Sequence, residues 1–365
     1  MKMLFLIPTL GGGGSERVLS IIANTLCEEN DIEILLLERP KKIAYEIDNR
    51  VKIKWPEIVT PHGNKLKTVL NYIKNIRLLK KYINGEISCS KPNVILSFLP
   101  KADMLAYLCK KGNAAWMSSE RNDPHSRNNF ERIFLNHIYK RTTLLVCQTN
   151  AVKDYYTNQG VKNTLVIRNP LSKTLKSIGE EIEYDDFMVC VGRLDPQKNY
   201  IMLIRAFYEL KKEMSISTKL LILGEGPQRQ EITQTIRQLE LENDVILLGR
   251  KDNVGDYLYK AKFFVMSSNY EGMPNALIEA MSCGLPVVCT DFRTGAAREL
   301  VDKSNGYLVK VGDSAGMKSA LKAMFRKETA ELQNMRKSSK EKVESMRMDV
   351  VCEQWKNAFW GAVEK

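Results

Sequence analysis

Two glutamates, Glu271 and Glu279, bracket a Gly, a Pro and an apolar helix-forming run in Glu271-Gly272-Met273-Pro274-Asn275-Ala276-Leu277-Ile278-Glu279. The order reads as a loop, a helix start and its first turns. Pro274 suits the first helical position, where its missing N–H is one of the unpaired donors and its φ is already helical. Gly272 lets the backbone come close to a ligand. The helix start offers free N–H groups and a partial positive charge to a phosphate. Glu279 lies about one turn in, placed to accept paired hydroxyls, while Glu271 can reach another part of the same ligand. A phosphate seat between two hydroxyl-binding carboxylates fits a sugar nucleotide, with ribose on one side and hexose on the other.

Other stretches bring complementary chemistry. Gly192-Arg193-Leu194-Asp195-Pro196-Gln197-Lys198-Asn199 follows an apolar run and carries two cations, Arg193 and Lys198. Arg clamps phosphate bidentately and Lys acts as a point charge, so the pair can neutralise a diphosphate without a metal. Taken alone, two such cations are a solvated surface pair; their place after the first strand of a half favours a ligand role. Leu223-Gly224-Glu225-Gly226-Pro227 and Leu248-Gly249-Arg250-Lys251 end further runs. Each is a turn when read singly, yet together they leave room for a base or ribose against Gly249 and Arg250. Near the amino terminus, Gly11-Gly12-Gly13-Gly14-Ser15-Glu16 joins a strand to a helix and suits close approach of a bound group, with the helix start favouring an anion. It is not a dinucleotide fingerprint, because Glu16 stands where the sixth position requires Gly or Ala. Ser118-Ser119-Glu120-Arg121-Asn122-Asp123-Pro124-His125 is polar and faces the same expected cleft, with His125 better placed than His62 or His137, which read as surface or packing residues.

The elements that position these residues alternate between short apolar runs and helical patterns, the sign of parallel sheets flanked by helices. Strands are predicted at 4–8, 32–37, 51–54, 94–98, 114–118, 144–148 and 165–167, with helices near 15–29, 65–84, 101–111, 129–140 and 150–158. The second half repeats the plan with strands at 187–191, 219–223, 245–248, 263–267, 286–290 and 306–309. Its helices are predicted near 199–214, 227–241, 252–260, 274–283 and 294–300, followed by 313–327, 328–346 and 349–362. Two domains follow: 1–168 and 187–346, joined by the aperiodic polar segment 169–186. The final helix carries Trp355, Phe359 and Trp360, aromatic enough to need a docking surface, so residues 347–365 are expected to return to the first domain.

With 365 residues the chain suits two ordinary domains. Its eight cysteines include no CxxC pair and no zinc spacing, and read as small buried hydrophobes in a reducing compartment. No run reaches the roughly 18 apolar residues of a spanning helix, and the start leads into a strand, which points to a cytosolic protein. The formal charge is +12. Part of the excess falls in 65–84, where Lys65, Lys67, Lys74, Arg77, Lys80 and Lys81 accompany no acid. Leu66, Val69, Leu70, Ile73 and Ile76 recur at helical spacing, so this is a basic amphipathic helix that can rest on anionic lipid, or an ordinary surface helix packed on its own domain. No zinc finger, RNP-type strand or Gly-x-x-Gly clamp supports a nucleic-acid partner.

Assembled, these motifs resemble the retaining nucleotide-sugar glycosyltransferases of family 4, over nearly the whole chain: the glycine loop with Glu16, GRLDPQKN, LGEGP, LLGR and EGMPNALIEAMSCGLPVV stand in the family's order. The resemblance implies the GT-B fold, two Rossmann-like doubly wound α/β domains facing a cleft, with 1–168 binding the acceptor and 187–346 the nucleotide sugar. It is nearest to bacterial transferases that build lipid-linked oligosaccharide, O-antigen or capsule at the cytoplasmic membrane face, with a UDP-linked hexose or N-acetylhexosamine as donor and no metal or cofactor. It further implies that Arg193 and Lys198 hold the diphosphate and that Glu279 binds the ribose. Glu271 would face the donor sugar, with the backbone across Gly272, Met273, Pro274 and Asn275 on its hydroxyls and the phosphates. Gly192, Gly224, Gly249 and Arg250 complete the donor side, and Gly13, Gly14 and Glu120 the acceptor side. The chain departs from relatives that carry Ser-Glu-His in the first-half loop, because here the triplet is Ser119-Glu120-Arg121. Either Arg121 takes the histidine's place or His125 reaches in. An epimerase or hydrolase of similar architecture, and a non-catalytic nucleotide-sugar-binding partner, are the competing readings.

Overall fold

In the computed structural model, residues 1–57, 65–171, 179 and 182–364 are described, with backbone alone for 65–73. The chain forms two compact units, Met1–Pro170 with Met348–Lys365, and Leu171–Arg347. His62 lies outside the described residues, as does much of the segment 169–186.

Among the described residues, unit 1 holds a sheet of seven parallel strands: β1 (Lys2–Ile7), β2 (Asp31–Leu36), β3 (Lys52–Lys54), β4 (Val94–Phe98), β5 (Ala115–Ser119), β6 (Leu144–Cys147) and β7 (Thr164–Val166). Their order is β3-β2-β1-β4-β5-β6-β7. Helices α1 (Gly14–Leu26), α2 (Lys65–Ser90), α3 (Pro100–Leu108), α4 (Asn129–Tyr139) and α5 (Asn150–Asn158) connect them. Strands such as β4 are buried at every position, which is why β4 reads as an apolar run broken only by Ser97 rather than as an alternating one. Helix α2 runs past the predicted end at 84 because Ile83 and Ile87 keep the one-turn spacing and both bury against the sheet, so Gly85 is carried inside the helix.

Unit 2 repeats the design with six parallel strands among the described residues: β8 (Phe187–Val191), β9 (Lys219–Leu223), β10 (Val245–Gly249), β11 (Phe264–Met266), β12 (Val287–Asp291) and β13 (Gly306–Lys310). Helices α6 (Tyr200–Glu213), α7 (Arg229–Gln238), α8 (Val254–Lys260), α9 (Asn275–Ser282), α10 (Ala296–Leu300), α11 (Ser314–Phe325) and α12 (Thr329–Val343) cover it. The order β10-β9-β8-β11-β12-β13 reverses direction between β8 and β11. Such a switch point leaves a crevice beyond the carboxyl ends of the strands, the usual ligand seat of an open α/β sheet.

The last helix, α13 (Met348–Val363), belongs to unit 1. Val351, Trp355 and Phe359 are fully buried. Phe359 stacks on Phe5 of β1 with centroids 5.8 Å apart, and Trp355 on Phe98 of β4 at 6.1 Å.

Unit 1 also buries a polar cluster behind the ends of β4 and β5. Glu120 accepts both guanidinium nitrogens of Arg127 at 2.6 Å each, the Tyr156 hydroxyl at 2.6 Å, and the amides of Arg121 and Asn122. Burial alone would raise the Glu120 carboxyl, yet the charge and hydrogen bonds of Arg127 outweigh it and hold it below the usual range. Nearby, Asp103 accepts Ser97 at 2.6 Å and Tyr139 at 2.9 Å, makes no ion pair among the described residues, and is pushed up to about 7 by burial. The folded state therefore holds a proton on Asp103 that the unfolded chain releases near pH 4. The stability this proton contributes is fully present below about pH 4 and is lost as pH rises through about 7. Asp103→Asn, an uncharged mimic of the protonated acid, should flatten the melting temperature over that window; an unchanged slope would remove Asp103 as its source.

Candidate functional site

The switch point of unit 2 gathers the cations and carboxylates singled out in the sequence. Lys198, in the loop after β8, places its Nζ 2.5 Å from Glu271 Oε1, in the loop after β11. Both side chains are nearly enclosed, at 16% and 9% exposure. Ser268 donates to the same Glu271 oxygen at 2.7 Å, and Gln197 Nε2 donates to the other at 3.1 Å. Glu271 is therefore fixed from three directions. The backbones are laced as well: the Asn269 amide donates to the Gln197 carbonyl at 2.7 Å, and the Ser267 hydroxyl to the Lys198 carbonyl at 2.8 Å. From β12, Thr290 donates to the Ser268 carbonyl at 2.6 Å, and Thr294 beyond it to the Gly272 carbonyl at 3.0 Å.

Arg193 behaves differently. Asp195 accepts its Nε at 2.7 Å, and the Arg193 side chain is still 73% exposed. Asp195 thus sets the side chain's direction while the guanidinium remains open to an anion. Two cations therefore sit on one loop, one sheathed against a carboxylate and one presented to solvent.

Glycines make these loops possible, and the structure corrects part of their expected role. A Cβ on Gly192 would lie 2.9 Å from both Lys198 Cε and the Tyr200 hydroxyl, so this glycine opens the path of the Lys198 stem. Gly224 adopts φ +149°, and a Cβ there would lie 1.9 Å from the Gly192 carbonyl oxygen. The space expected there for a ring is filled by the chain itself; Gly224 lets the β8 and β9 loops touch. Gly249 closes β10, its carbonyl accepting the Gly224 amide at 2.8 Å, and Arg250 beside it is exposed.

Helix α9 begins one residue later than expected. Pro274 has φ −75° and ψ 113° and caps α9 from outside rather than forming its first helical residue. Gly272, Met273 and Asn275 surround this start, and Glu279 lies one turn along at 7% exposure. The arrangement is a helix N-terminus flanked by two carboxylates with two cations on the neighbouring loop.

In unit 1 the glycine loop follows β1 beside β4, the equivalent switch point. Gly11, Gly12, Gly13 and Gly14 are exposed. The anion at this helix start is the chain's own: Glu16 accepts the Gly12 and Gly13 amides at 2.6 and 2.8 Å and the Thr9 hydroxyl at 2.6 Å. That carboxylate stands where an external anion was expected. Glu120, expected on the acceptor side, is buried and paired with Arg127. Arg121 is 4% exposed, stacked over Phe98 at 4.6 Å and Trp355 at 5.6 Å, with Nη1 on Asn169 at 2.8 Å. Burial lowers it to about 9. Its Nε and Nη2 are buried with no hydrogen-bond partner among the described residues. His125 is exposed on a single 3₁₀ turn, its ring edge-on to Tyr155 at 4.9 Å. His137 is exposed on α4 with its ring 6.0 Å from Tyr107.

Sequence reasoning missed Gln197, Ser268, Asp195, Thr290 and Thr294. Each acts by holding a singled-out residue or its loop, a role that short polar side chains give no pattern to betray.

Two such units, with paired cations and carboxylates at the second switch point, are an α/β arrangement of GT-B type. The family described as glycosyl transferases group 1 matches residues 173–342. The chain is 30% identical to an N-acetylgalactosamine-N,N'-diacetylbacillosaminyl-diphospho-undecaprenol 4-alpha-N-acetylgalactosaminyltransferase of Campylobacter jejuni, over 89% of this chain and 90% of that one. A second Campylobacter jejuni relative, a GalNAc-alpha-(1->4)-GalNAc-alpha-(1->3)-diNAcBac-PP-undecaprenol alpha-1,4-N-acetyl-D-galactosaminyltransferase, is 27% identical over 97% of each chain. Among solved structures, Anabaena HepE in complex with UDP and glucose shares the fold at TM-score 0.76 and 18% identity, covering 99% of this chain and all (100%) of that one. The chain belongs to the group 1 glycosyltransferases and is a glycosyltransferase.

Proposed function

We propose that this protein moves a hexose or N-acetylhexosamine from a UDP-linked sugar to a polyprenyl-diphosphate-linked saccharide, with retention at the anomeric carbon and without a metal. The observation that carries the reading is the Arg193, Lys198, Glu271 and Glu279 constellation around the α9 start. The lipid-linked acceptor is supported by the two Campylobacter jejuni relatives, whose names specify undecaprenol-linked substrates. UDP is supported by the likeness to a UDP-bound structure.

In this reading unit 2 holds the donor and unit 1 the acceptor, with Gly13 and Gly14 shaping the acceptor side. Arg193 and Lys198 meet the diphosphate, Glu279 the ribose hydroxyls and Glu271 the transferred sugar, assisted by Gly272, Met273, Asn275, Gly249 and Arg250. The bond from the anomeric carbon to the diphosphate oxygen breaks, and the acceptor hydroxyl oxygen bonds to that carbon on the same face. Its proton passes to the departing phosphate oxygen. The protein's contribution is electrostatic: fixed cations and the α9 dipole face charge as it develops. His125 remains the exposed polar candidate for the transferred sugar on the unit 1 side.

Among the described residues no helix is long and apolar enough to cross a membrane. We place the reaction at the cytoplasmic membrane face, with α2 as a basic contact: Lys74, Arg77 and Lys81 are exposed on it, and the side chains of Lys65 and Lys67 lie outside the described residues.

Radiolabelled UDP-sugars offered with a short polyprenyl-diphosphate saccharide should yield a glycolipid one sugar heavier, with the donor's anomeric configuration by NMR and an unchanged rate in EDTA. Release of free sugar without glycolipid would identify a hydrolase instead. An inverted product, or a strict divalent-cation requirement, would overturn the mechanism.

A further inference from the structure

The most exposed of the large apolar side chains on the described surface are not on α2. Phe130 and Ile133 of α4 are 78% and 69% exposed. Phe134 lies beside them, its ring stacked on Phe130 at 6.2 Å with planes 10° apart. Spacings of three and four residues put all of them on one face of α4. Nothing in the fold requires this: Asn128 caps the helix by accepting the Glu131 amide at 2.9 Å, and Leu135, Ile138 and Tyr139 already pack α4 onto unit 1. A phenylalanine and an isoleucine held in water beside the half-buried Phe134 mark a contact surface.

The neighbourhood indicates what covers it. Helix α3 lies between α2 and α4. On the other side of α3, a groove between α2 and α3 is lined by Ile76, Leu79, Met104 and Leu105. Cations surround it: Lys74, Arg77 and Lys81 on α2, Arg39 at the groove, and Lys140 and Arg141 at the far end of α4 are exposed or line the groove. Of the acids nearby, Glu38 is engaged by Lys101 and Glu131 stands exposed on α4. An apolar ridge within a cationic border suits an anionic lipid surface, where side chains enter the acyl boundary while ammonium and guanidinium groups meet headgroups.

We infer that Phe130 and Ile133 of α4 are the membrane-inserting anchors of this protein, acting with the cations of α2, Arg39, and Lys140 and Arg141 at the end of α4 on an anionic bilayer. This deepens the peripheral-membrane part of the proposed function. It is read by binding alone, so failure of the sugar-transfer scheme leaves it standing.

The test is flotation of the full chain with vesicles of phosphatidylcholine, with and without phosphatidylglycerol. The wild type should float with the anionic vesicles and much less with the neutral ones. The pair Phe130→Gln and Ile133→Gln should lower the bound fraction about tenfold or more. Thermal unfolding should be unchanged, because the replaced groups are already in water. A parallel set, Lys74→Gln, Arg77→Gln and Lys81→Gln, isolates the charge of α2. Flotation lost with that set but kept with the Phe130/Ile133 pair would overturn the inference and leave contact through α2 alone. Equal binding to neutral vesicles, or no flotation of the wild type, would also overturn it. So would a concentration-dependent dimer that the Phe130/Ile133 pair dissolves, since the ridge would then be covered by a second copy of the chain.

Discussion

Replacing Lys198 with alanine should lower turnover about a hundredfold to a thousandfold, since removal of one fixed charge-stabilising group in an active site costs roughly 2.7–4 kcal/mol in the transition state. Lys198 is held ready by a short stack of dependencies. Gly192 clears the path of its stem, and Glu271 holds its ammonium at 2.5 Å, while Ser268 and Gln197 fix Glu271 in turn. The ammonium has a carboxylate partner in the free protein, and in the function proposed above it faces the donor diphosphate as well. The loss should therefore fall chiefly on kcat, with a smaller change in KM. Glu271→Gln separates the two contributions, because it removes the carboxylate but leaves the ammonium. Turnover of Lys198→Ala within a few-fold of wild type would show that the charge is not used.

Glu120→Ala should destabilise unit 1 by about 3–5 kcal/mol, the range for breaking a buried ion pair from one side. Arg127 is left at 8% exposure with no carboxylate, and Tyr156 loses its acceptor. The readout is selective, because all four tryptophans (Trp55, Trp116, Trp355 and Trp360) lie in unit 1. Tryptophan fluorescence should show an early transition, while unit 2 unfolds as in the wild type. Adding Arg127→Met to Glu120→Leu should recover much of the loss, since a buried pair replaced by apolar groups is often neutral. If Glu120→Ala melts with the wild type, Glu120 is not the fastening described.

Much of this molecule was legible before any coordinates. The strands declare themselves because parallel strands covered on both faces carry near-continuous apolar runs, unbroken in β8 and interrupted only by Ser97 in β4. The unit 2 site is legible because its chemistry is written locally: Arg193 and Lys198 share one loop, Glu271 and Glu279 one loop and helix. What escaped depends on partners distant in sequence. Glu120 looked like a polar loop group, and only the fold brings Tyr156 and Arg127 onto it. Gly224 looked like room for a ligand, and only the meeting of the β8 and β9 loops shows what it accommodates. Glu16 was noted as a break in a glycine fingerprint, whereas its carboxylate closes the helix start that those glycines open. Local spacing records which groups are present; it does not record which of them satisfy one another.

The stacking of Phe359 on Phe5 and of Trp355 on Phe98 sets an order of assembly. Strand β1 leaves the ribosome long before α13, which completes its packing, so all of unit 2 is synthesised while unit 1 still lacks one wall. Unit 1 made alone as residues 1–170 would expose that wall and aggregate. Supplying the α13 segment as a separate peptide should restore its solubility.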